Sequence, residues 1–227
     1  MQERLKRLIS TVREMMHKLF YRRIEKTVHF TGRKYITISK TALISQNTWL
    51  NVNSRDTSPK ISIGNYCYIG RNNFFTSGKK ISIDDYSITS VNCNFLGSEH
   101  DYSNPMIPYY FAPTSNEKEI IIETNVFVGA NVSIIGNVCI GYGSVIGANS
   151  VIVNADIPPF SLVVGNPGHV IKRFSFPSNE WKSIESWSKA DESAIIDSGT
   201  YKSKLNIGKK TRLPYKSIGK SNGDMWE

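Results

Sequence analysis

One histidine stands in a segment whose composition suits proton transfer. In the stretch GSEHDYSNP, His100 is flanked by the acidic residues Glu99 and Asp101, and Pro105 follows shortly after. Proline and small polar residues at this density are typical of a loop. An imidazole on a loop between rigid elements is a candidate general base, which takes the proton of a reacting hydroxyl. The other interpretation is an ordinary polar surface residue.

The segments on either side of this loop repeat with a period of six residues. Over residues 120–153 a branched aliphatic residue recurs at every sixth position without a slip, and glycine follows three of these residues. Weaker matches extend back to Ile38. The positions of the strong repeat are Ile122, Val128, Ile134, Ile140, Ile146 and Ile152.

This period predicts a stack of short strands. It contains the strand period of two, so side chains within each repeat still alternate between the inside and the outside. Short strands joined by corners form a solenoid, in which each coil buries its aliphatic side chains against the next. The glycine after the aliphatic residue is expected to supply the corner at no steric cost. The alternative is an antiparallel β-sandwich of short strands, whose turns are less evenly spaced.

Composition and charge exclude several classes of protein. Of the 227 residues, 40% are hydrophobic, which is typical of a globular chain. The net charge of +9 resides at the two ends, because residues 31–170 carry nine basic and nine acidic residues. That region therefore lacks the basic stripe of a nucleic-acid-binding surface. The cysteines Cys67, Cys93 and Cys139 are scattered and odd in number, which predicts free thiols rather than a disulfide framework.

The end of the repeat carries a resemblance to a known family. The stretch VIVNADIPPFSLVVGNPGHVIKRF, residues 151–174, resembles the last coil of the hexapeptide-repeat acyltransferases, and most of all that of the galactoside, maltose, xenobiotic and capsular-sugar O-acetyltransferases. The likeness covers about residues 35–175. It implies a left-handed parallel β-helix, a handedness that the period alone does not reveal. It also implies acetyl-CoA as the acyl donor and a homotrimer.

The resemblance also implies the roles of particular residues. In this family a catalytic histidine begins one extruded loop, and here the period breaks after Phe95 and resumes at Ile120, so that loop 96–119 carries His100 near its start. The family's coenzyme A contacts map onto later coils. Asn154 stands where the family often has lysine, and His169 stands where it often has a basic residue. The implied coenzyme-binding residues are Phe127, Ala130, Ala148, Val153, Asn154, His169 and Lys172.

The two ends are predicted to be appendages of the solenoid. Residues 1–27 carry apolar side chains at helical spacing, so residues 1–30 are predicted as an amphipathic helix that packs on residues 31–174. A second interpretation is peripheral membrane contact through residues 1–27. Residues 177–187 predict a short helix, and the remainder of 175–227 predicts a loosely ordered tail. No secretory signal is recognised, so we expect a cytoplasmic protein, with the inner face of the membrane as a second location.

These patterns predict an acetyl-CoA-dependent O-acetyltransferase that acts on a sugar hydroxyl of capsular or other cell-surface polysaccharide. No metal is expected, because the zinc-dependent carbonic anhydrases on the same solenoid need three histidine ligands and residues 31–170 contain two histidines. The alternatives are an N-acetyltransferase of a nucleotide-linked amino sugar, an antibiotic O-acetyltransferase, and a catalytically silent β-helix scaffold.

Overall fold

The structure is a computed structural model that describes residues 23–53 and 59–205. Up to the loop the strands are β1 (His29–Thr31), β2 (Ile36–Ile38), β3 (Leu43–Ile44), β4 (Trp49–Val52), β5 (Ile61–Ile63), β6 (Tyr68–Ile69), β7 (Phe74–Ser77), β8 (Lys80–Ile83), β9 (Ile88–Thr89) and β10 (Asn94–Leu96). From the loop onwards they are β11 (Glu99–His100), β12 (Thr114–Ser115), β13 (Glu119–Ile122), β14 (Phe127–Val128), β15 (Ser133–Ile140), β16 (Val145–Ile146), β17 (Val151–Ile157), β18 (Ser161–Val164), β19 (His169–Ser175) and β20 (Glu180–Ser183). Short 3₁₀ helices span Arg33–Tyr35 and Ile184–Ser186, and the α-helices are α1 (Lys189–Ser193) and α2 (Ser198–Lys204).

Most strands pair in parallel with the strand that occupies the same place one coil later. Thus β5 pairs with β8, β6 with β9, and β7 with β10. Three successive strands make one coil, and the stacked coils form three faces. The first face contains β2, β5, β8 and β13, the second contains β3, β6, β9, β14, β16 and β18, and the third contains β1, β4, β7 and β10. Strands β15 and β17 turn the corner from the third face to the first. The predicted solenoid is confirmed at this level, and the antiparallel sandwich is wrong.

The core lies inside the coil and follows the sixfold repeat. The repeated aliphatic residues are buried, and each stacks on its equivalent in the next coil, as Ile134 does on Ile152. In two coils the position is aromatic, and the rings of Phe75 and Phe95 stack with their centroids 4.4 Å apart. Burial of these side chains on one another is the main stabilising contribution of each added coil.

The corners use asparagine where the sequence suggested glycine. Asn72, Asn92, Asn131 and Asn149 all adopt left-handed backbone conformations, with φ between 57° and 60°. Their side chains form a ladder, in which each amide nitrogen donates to the amide oxygen of the next coil at 3.1 Å. The repeated glycines have a different role. A Cβ on Gly129 would lie 2.7 Å from the backbone of the next coil, so the close approach of successive coils requires glycine there.

The N-terminal boundary differs from the prediction. Ile24 forms a parallel bridge with Ile44, and β1 pairs with β4, so the described residues before residue 31 already join the coil. Residues 23–27 are not helical. The remainder of the helix predicted over 1–27, together with its membrane contact, lies outside the described residues.

The helix predicted over 177–187 is wrong. This stretch forms β20 and a 3₁₀ turn, because β20 pairs antiparallel with β19 and thereby satisfies its backbone with long-range hydrogen bonds. The helix α1 begins only after Ser188, whose side chain accepts from the backbone of Asp191 in a capping box. The first compact unit ends at Ile195, and α2 belongs to a second unit that begins at Ile196. Among the described residues, no helix is both long enough and apolar enough to cross a bilayer.

Candidate active site

The loop leaves the coil through a two-stranded root. It departs after Leu96, where β10 ends, and the chain rejoins the coil at Glu119, where β13 begins. These limits agree with the loop predicted over 96–119. At the root, β11 and β12 pair antiparallel, with His100 opposite Thr114. The backbone at His100 is therefore hydrogen-bonded to β12. It lies at the corner where the third face ends.

The imidazole of His100 is oriented by a main-chain carbonyl. Its Nδ1 atom lies 3.3 Å from the carbonyl oxygen of Ala112. A carbonyl only accepts, so this contact holds the proton on Nδ1 and leaves the lone pair on Nε2. The side chain is exposed, so Nε2 is open to a ligand. Ala112 has no chemical signature in the sequence, and this partner could not have been found there.

The two carboxylates beside His100 are engaged elsewhere. Glu99 forms an ion pair with Lys118 at 3.0 Å, which ties the start of the loop to its end. A carboxylate oxygen of Asp101 accepts from the backbone N–H of Ser103 at 2.9 Å, and this bond lowers the pKa of Asp101 below its ordinary value. Both acidic side chains therefore stabilise the loop rather than the imidazole.

A polar cleft of about 570 Å³ opens beside His100. It lies against the third face, and its floor is a network of short polar side chains from successive coils. The side-chain nitrogen of Asn53 donates to the hydroxyls of Thr76, at 2.8 Å, and Ser98, and these two hydroxyls lie 2.8 Å apart. Asn116 also lines the cleft, and its buried side-chain oxygen has no hydrogen-bond partner within the described structure.

Among the described residues, the oxygen of Asn116 is the unpaired acceptor beside this cleft. A buried acceptor without a partner is costly unless a donor meets it. Asn116 lines the same cleft as His100. Asn53, Ser98 and Asn116 were not recognised in the sequence, because Asn53 follows a strand of the coil, Ser98 and Asn116 lie at the two ends of the loop, and the three share no spacing.

A second cleft, of about 420 Å³, lies on the loop side of His100. It is lined by Glu99, His100 and the three tyrosines Tyr102, Tyr109 and Tyr110. The tyrosines are all exposed, at 67%, 53% and 86% respectively. His100 thus stands between a polar cleft and an aromatic one.

The predicted coenzyme-binding residues fall into two groups. Ala130 and Ala148 lie at the corner between the second and third faces, where the backbone nitrogen of Asn149 donates to the carbonyl of Ala130. Phe127, which is 45% exposed, begins a column on the second face that continues through the next strands to Lys172. Exposed His169 pairs with Val164 at the end of that face.

The other group lies one corner further on. Val153 and Asn154 follow the third face, at the corner that also carries the loop of His100. The side-chain oxygen of Asn154 accepts from the backbone of Asn137 at 2.9 Å, so this atom caps a corner of the coil. Within one chain, the width of the third face therefore separates Val153 and Asn154 from Ala130 and Ala148.

The basic residue next to Lys172 is structural. Arg173 is 7% exposed, its guanidinium donates to the carbonyl of Pro159 at 3.2 Å, pairs with Glu192 and lies 4.6 Å over the ring of Trp187. Its charge is thus used to fasten the segment after β19 to the coil. Lys172, by contrast, is exposed on β19.

No family model matches the chain. A Staphylococcus aureus protein named "Putative acetyltransferase" is 36% identical over 115 residues, which are 50% of this chain and 55% of that protein. The galactoside O-acetyltransferase of Escherichia coli is 31% identical over 138 residues, 59% of this chain and 64% of that protein. The crystal structure of a hexapeptide-repeat acetyltransferase of Vibrio cholerae with acetyl coenzyme A is 28% identical, with a TM-score of 0.52, and the match covers 61% of this chain and 70% of that one.

These findings confirm the resemblance that the repeat and the closing stretch predicted. The proteins to which this chain is similar, in sequence and in fold, are acetyltransferases, and the solved structure holds acetyl coenzyme A. The chain spans about half the length of the first of these curated relatives.

Proposed function

We propose that this protein is an acetyl-CoA-dependent O-acetyltransferase that acts on a sugar hydroxyl of capsular or other cell-surface polysaccharide. The observation that carries the proposal is the position of His100, whose Nδ1 is held by Ala112 while its exposed side chain lines a polar cleft. The similarity to a galactoside O-acetyltransferase supports a sugar as acceptor.

His100 has the properties that direct acyl transfer requires. A sugar hydroxyl is a weak nucleophile until a base removes its proton, and the Nε2 atom of His100 is the base in this cleft. A bound CoA thioester supplies the acetyl group, with the C–S bond breaking as the new C–O bond forms. His100 then returns the proton to the departing sulfur, so the imidazole ends neutral, as it began.

The proposed CoA site lies at the corner between the second and third faces. The small side chains of Ala130 and Ala148 leave the main chain open to a narrow pantetheine arm, and Lys172 offers a cation for phosphate groups. His169 would extend this contact, Phe127 presents an aromatic surface, and the loop corner of a neighbouring copy would bring Val153 and Asn154. Asn154 retains its amide nitrogen for a ligand, because only its oxygen caps the corner.

A homotrimer with a shared site forms part of this proposal. Within one chain, Ala130 and Ala148 lie a full face away from the corner that carries His100. A neighbouring copy that brought its Ala130 corner against that loop would complete the site. We include in the proposal a left-handed coil and a cytoplasmic location.

The test is transfer of labelled acetyl groups from acetyl-CoA to methyl glycosides of galactose, glucose, N-acetylglucosamine and glucosamine, the last of which offers a free amino group. His100→Ala should lower kcat by about 10²–10⁴-fold, as expected for loss of a general base. His29→Ala is the matched control, since His29 is also exposed but lines neither cleft. Near wild-type turnover by His100→Ala, or transfer only to amino groups, would contradict the proposal.

A further inference from the structure

The two clefts beside His100 are adjacent. Glu99 and His100 line both of them, so each cleft borders the imidazole. Volumes of about 570 and 420 Å³ each lie within the range of about 300–1,000 Å³ that is usual for small-molecule sites. Each cleft is thus large enough to hold a ligand group of its own.

The chemistry of the two clefts differs in a way that suits two parts of one acceptor. The polar cleft offers the hydroxyls of Thr76 and Ser98 and the unpartnered oxygen of Asn116, which match the hydroxyls at the edge of a sugar ring. The aromatic cleft offers ring faces and phenolic hydroxyls. A pyranose ring has an apolar face of C–H groups, which packs on an aromatic face, while its hydroxyls can bond to a tyrosine hydroxyl.

We propose that Tyr102, Tyr109 and Tyr110 form a second sugar subsite, which binds the residue next to the one that is acetylated. This inference rests on the proposed function and adds that the acceptor is an oligosaccharide or polysaccharide rather than a free monosaccharide. The polar cleft holds the reacting residue at His100, and the tyrosines hold its neighbour in the chain.

A protein segment is a less suitable occupant of the aromatic cleft. Such a segment would cover His100, which lines the cleft, and would shut the polar cleft from one side. The loop has other exposed apolar side chains that line neither cleft, among them Met106 at 87% exposure. A neighbouring subunit could therefore contact the loop at those residues and still leave the tyrosines to a sugar.

The experiment compares methyl glycosides with matching tetrasaccharides as acceptors. The wild-type kcat/KM should be at least about fivefold higher for the tetrasaccharide, in line with the strength of aromatic contacts, and the gain should lie in KM. The double variant Tyr109→Ala/Tyr110→Ala should bring this ratio close to one. Met106→Ala is the matched control from the same loop and should keep the wild-type ratio.

Binding without turnover separates this inference from the proposed function. On the His100→Ala protein, calorimetry should show tighter binding of the tetrasaccharide than of the methyl glycoside, and the tyrosine substitutions should abolish the difference. If no sugar is acetylated but this preference persists, the proposed function fails and the subsite stands. Equal affinity for both acceptors, or a preference that survives loss of the tyrosines, would overturn the subsite. A change of sedimentation coefficient in the double variant would assign the tyrosines to a second copy of the chain and would also overturn it.

Discussion

The Nδ1 atom of His100 lies 3.3 Å from the carbonyl oxygen of Ala112, across the root of the extruded loop. The two residues meet because β11 and β12 pair antiparallel just outside the coil. This contact selects the tautomer with a free Nε2. No carboxylate is needed to orient the ring. The imidazole is therefore positioned by backbone geometry, while Glu99 and Asp101 hold the loop in place.

The unpartnered oxygen of Asn116 predicts an effect on the acceptor alone. Asn116→Ala should raise the KM for the acceptor sugar by about two- to tenfold, which corresponds to the loss of one hydrogen bond. The KM for acetyl-CoA should stay constant, because Asn116 lines the cleft proposed for the sugar and is not among the residues proposed to bind coenzyme A. Steady-state kinetics with each substrate varied in turn gives both values. A shift confined to acetyl-CoA would be contrary to this assignment.

The positions of Lys172 and His169 predict opposite effects of two charge changes. Lys172→Ala removes an exposed cation and should raise the KM for acetyl-CoA by about two- to fivefold. His169→Arg adds a permanent cation on the same strand and should lower that KM. Both effects should weaken as salt is added, because exposed charges are screened. Identical kinetics for wild type and both variants would show that the phosphate groups of acetyl-CoA bind elsewhere.

Asp191 predicts a loss of stability in acid. Hydrogen bonds from Ser175, Ser188 and Lys182 hold the pKa of this buried carboxyl well below its usual range. The stabilisation is complete above the unfolded pKa of about 3.9, and it is lost as the pH falls towards the lower folded pKa. Asp191→Asn should lower Tm at pH 6 and flatten the decline of Tm between pH 5 and 3. Asp156→Asn, at an exposed position on β17, is the control and should retain the wild-type profile.

The thiol of Cys67 is predicted to be inert in the folded protein. Burial raises its pKa to about 12, so the reactive thiolate is scarce at neutral pH. A chromogenic thiol reagent at pH 8 should label Cys67 only after denaturation, when all three cysteines become available. Mass spectrometry of the labelled peptides identifies the sites. Rapid labelling of Cys67 in the native protein would show that this part of the coil opens readily.

The asparagine ladder predicts a distinction between alanine and glycine. Asn131 has a left-handed backbone, and its side chain bonds to Asn92 and Asn149 in the adjacent coils. Asn131→Ala should lower the free energy of unfolding by about 1–3 kcal/mol, because strain is added and hydrogen bonds are lost. Asn131→Gly removes only the hydrogen bonds and should cost less. Urea denaturation of both variants provides the comparison, and equal losses would argue against backbone strain at this corner.

Local periodicity was sufficient to predict the coil and the limits of the loop. The aliphatic residue at every sixth position marks the inside of each strand, and the break after Phe95 marks the departure of the loop, since burial imposes both on the sequence itself. The strand at Glu180–Ser183 could not be predicted in this way. Its spacing is also compatible with a helix, and only the antiparallel pairing with β19 decides between the two.

The coil, its core and the position of His100 at the start of the loop could be predicted from the sequence, because each depends on residues that are close in the chain or on a regular repeat. The surroundings of His100 depend instead on how distant segments pack. Ala112 becomes its partner through the pairing of β11 with β12, and the polar cleft gathers Asn53, Ser98 and Asn116 from separate coils and the loop. Such contacts join residues that are distant in the chain, and the local preferences of these residue types do not predict which of them will meet.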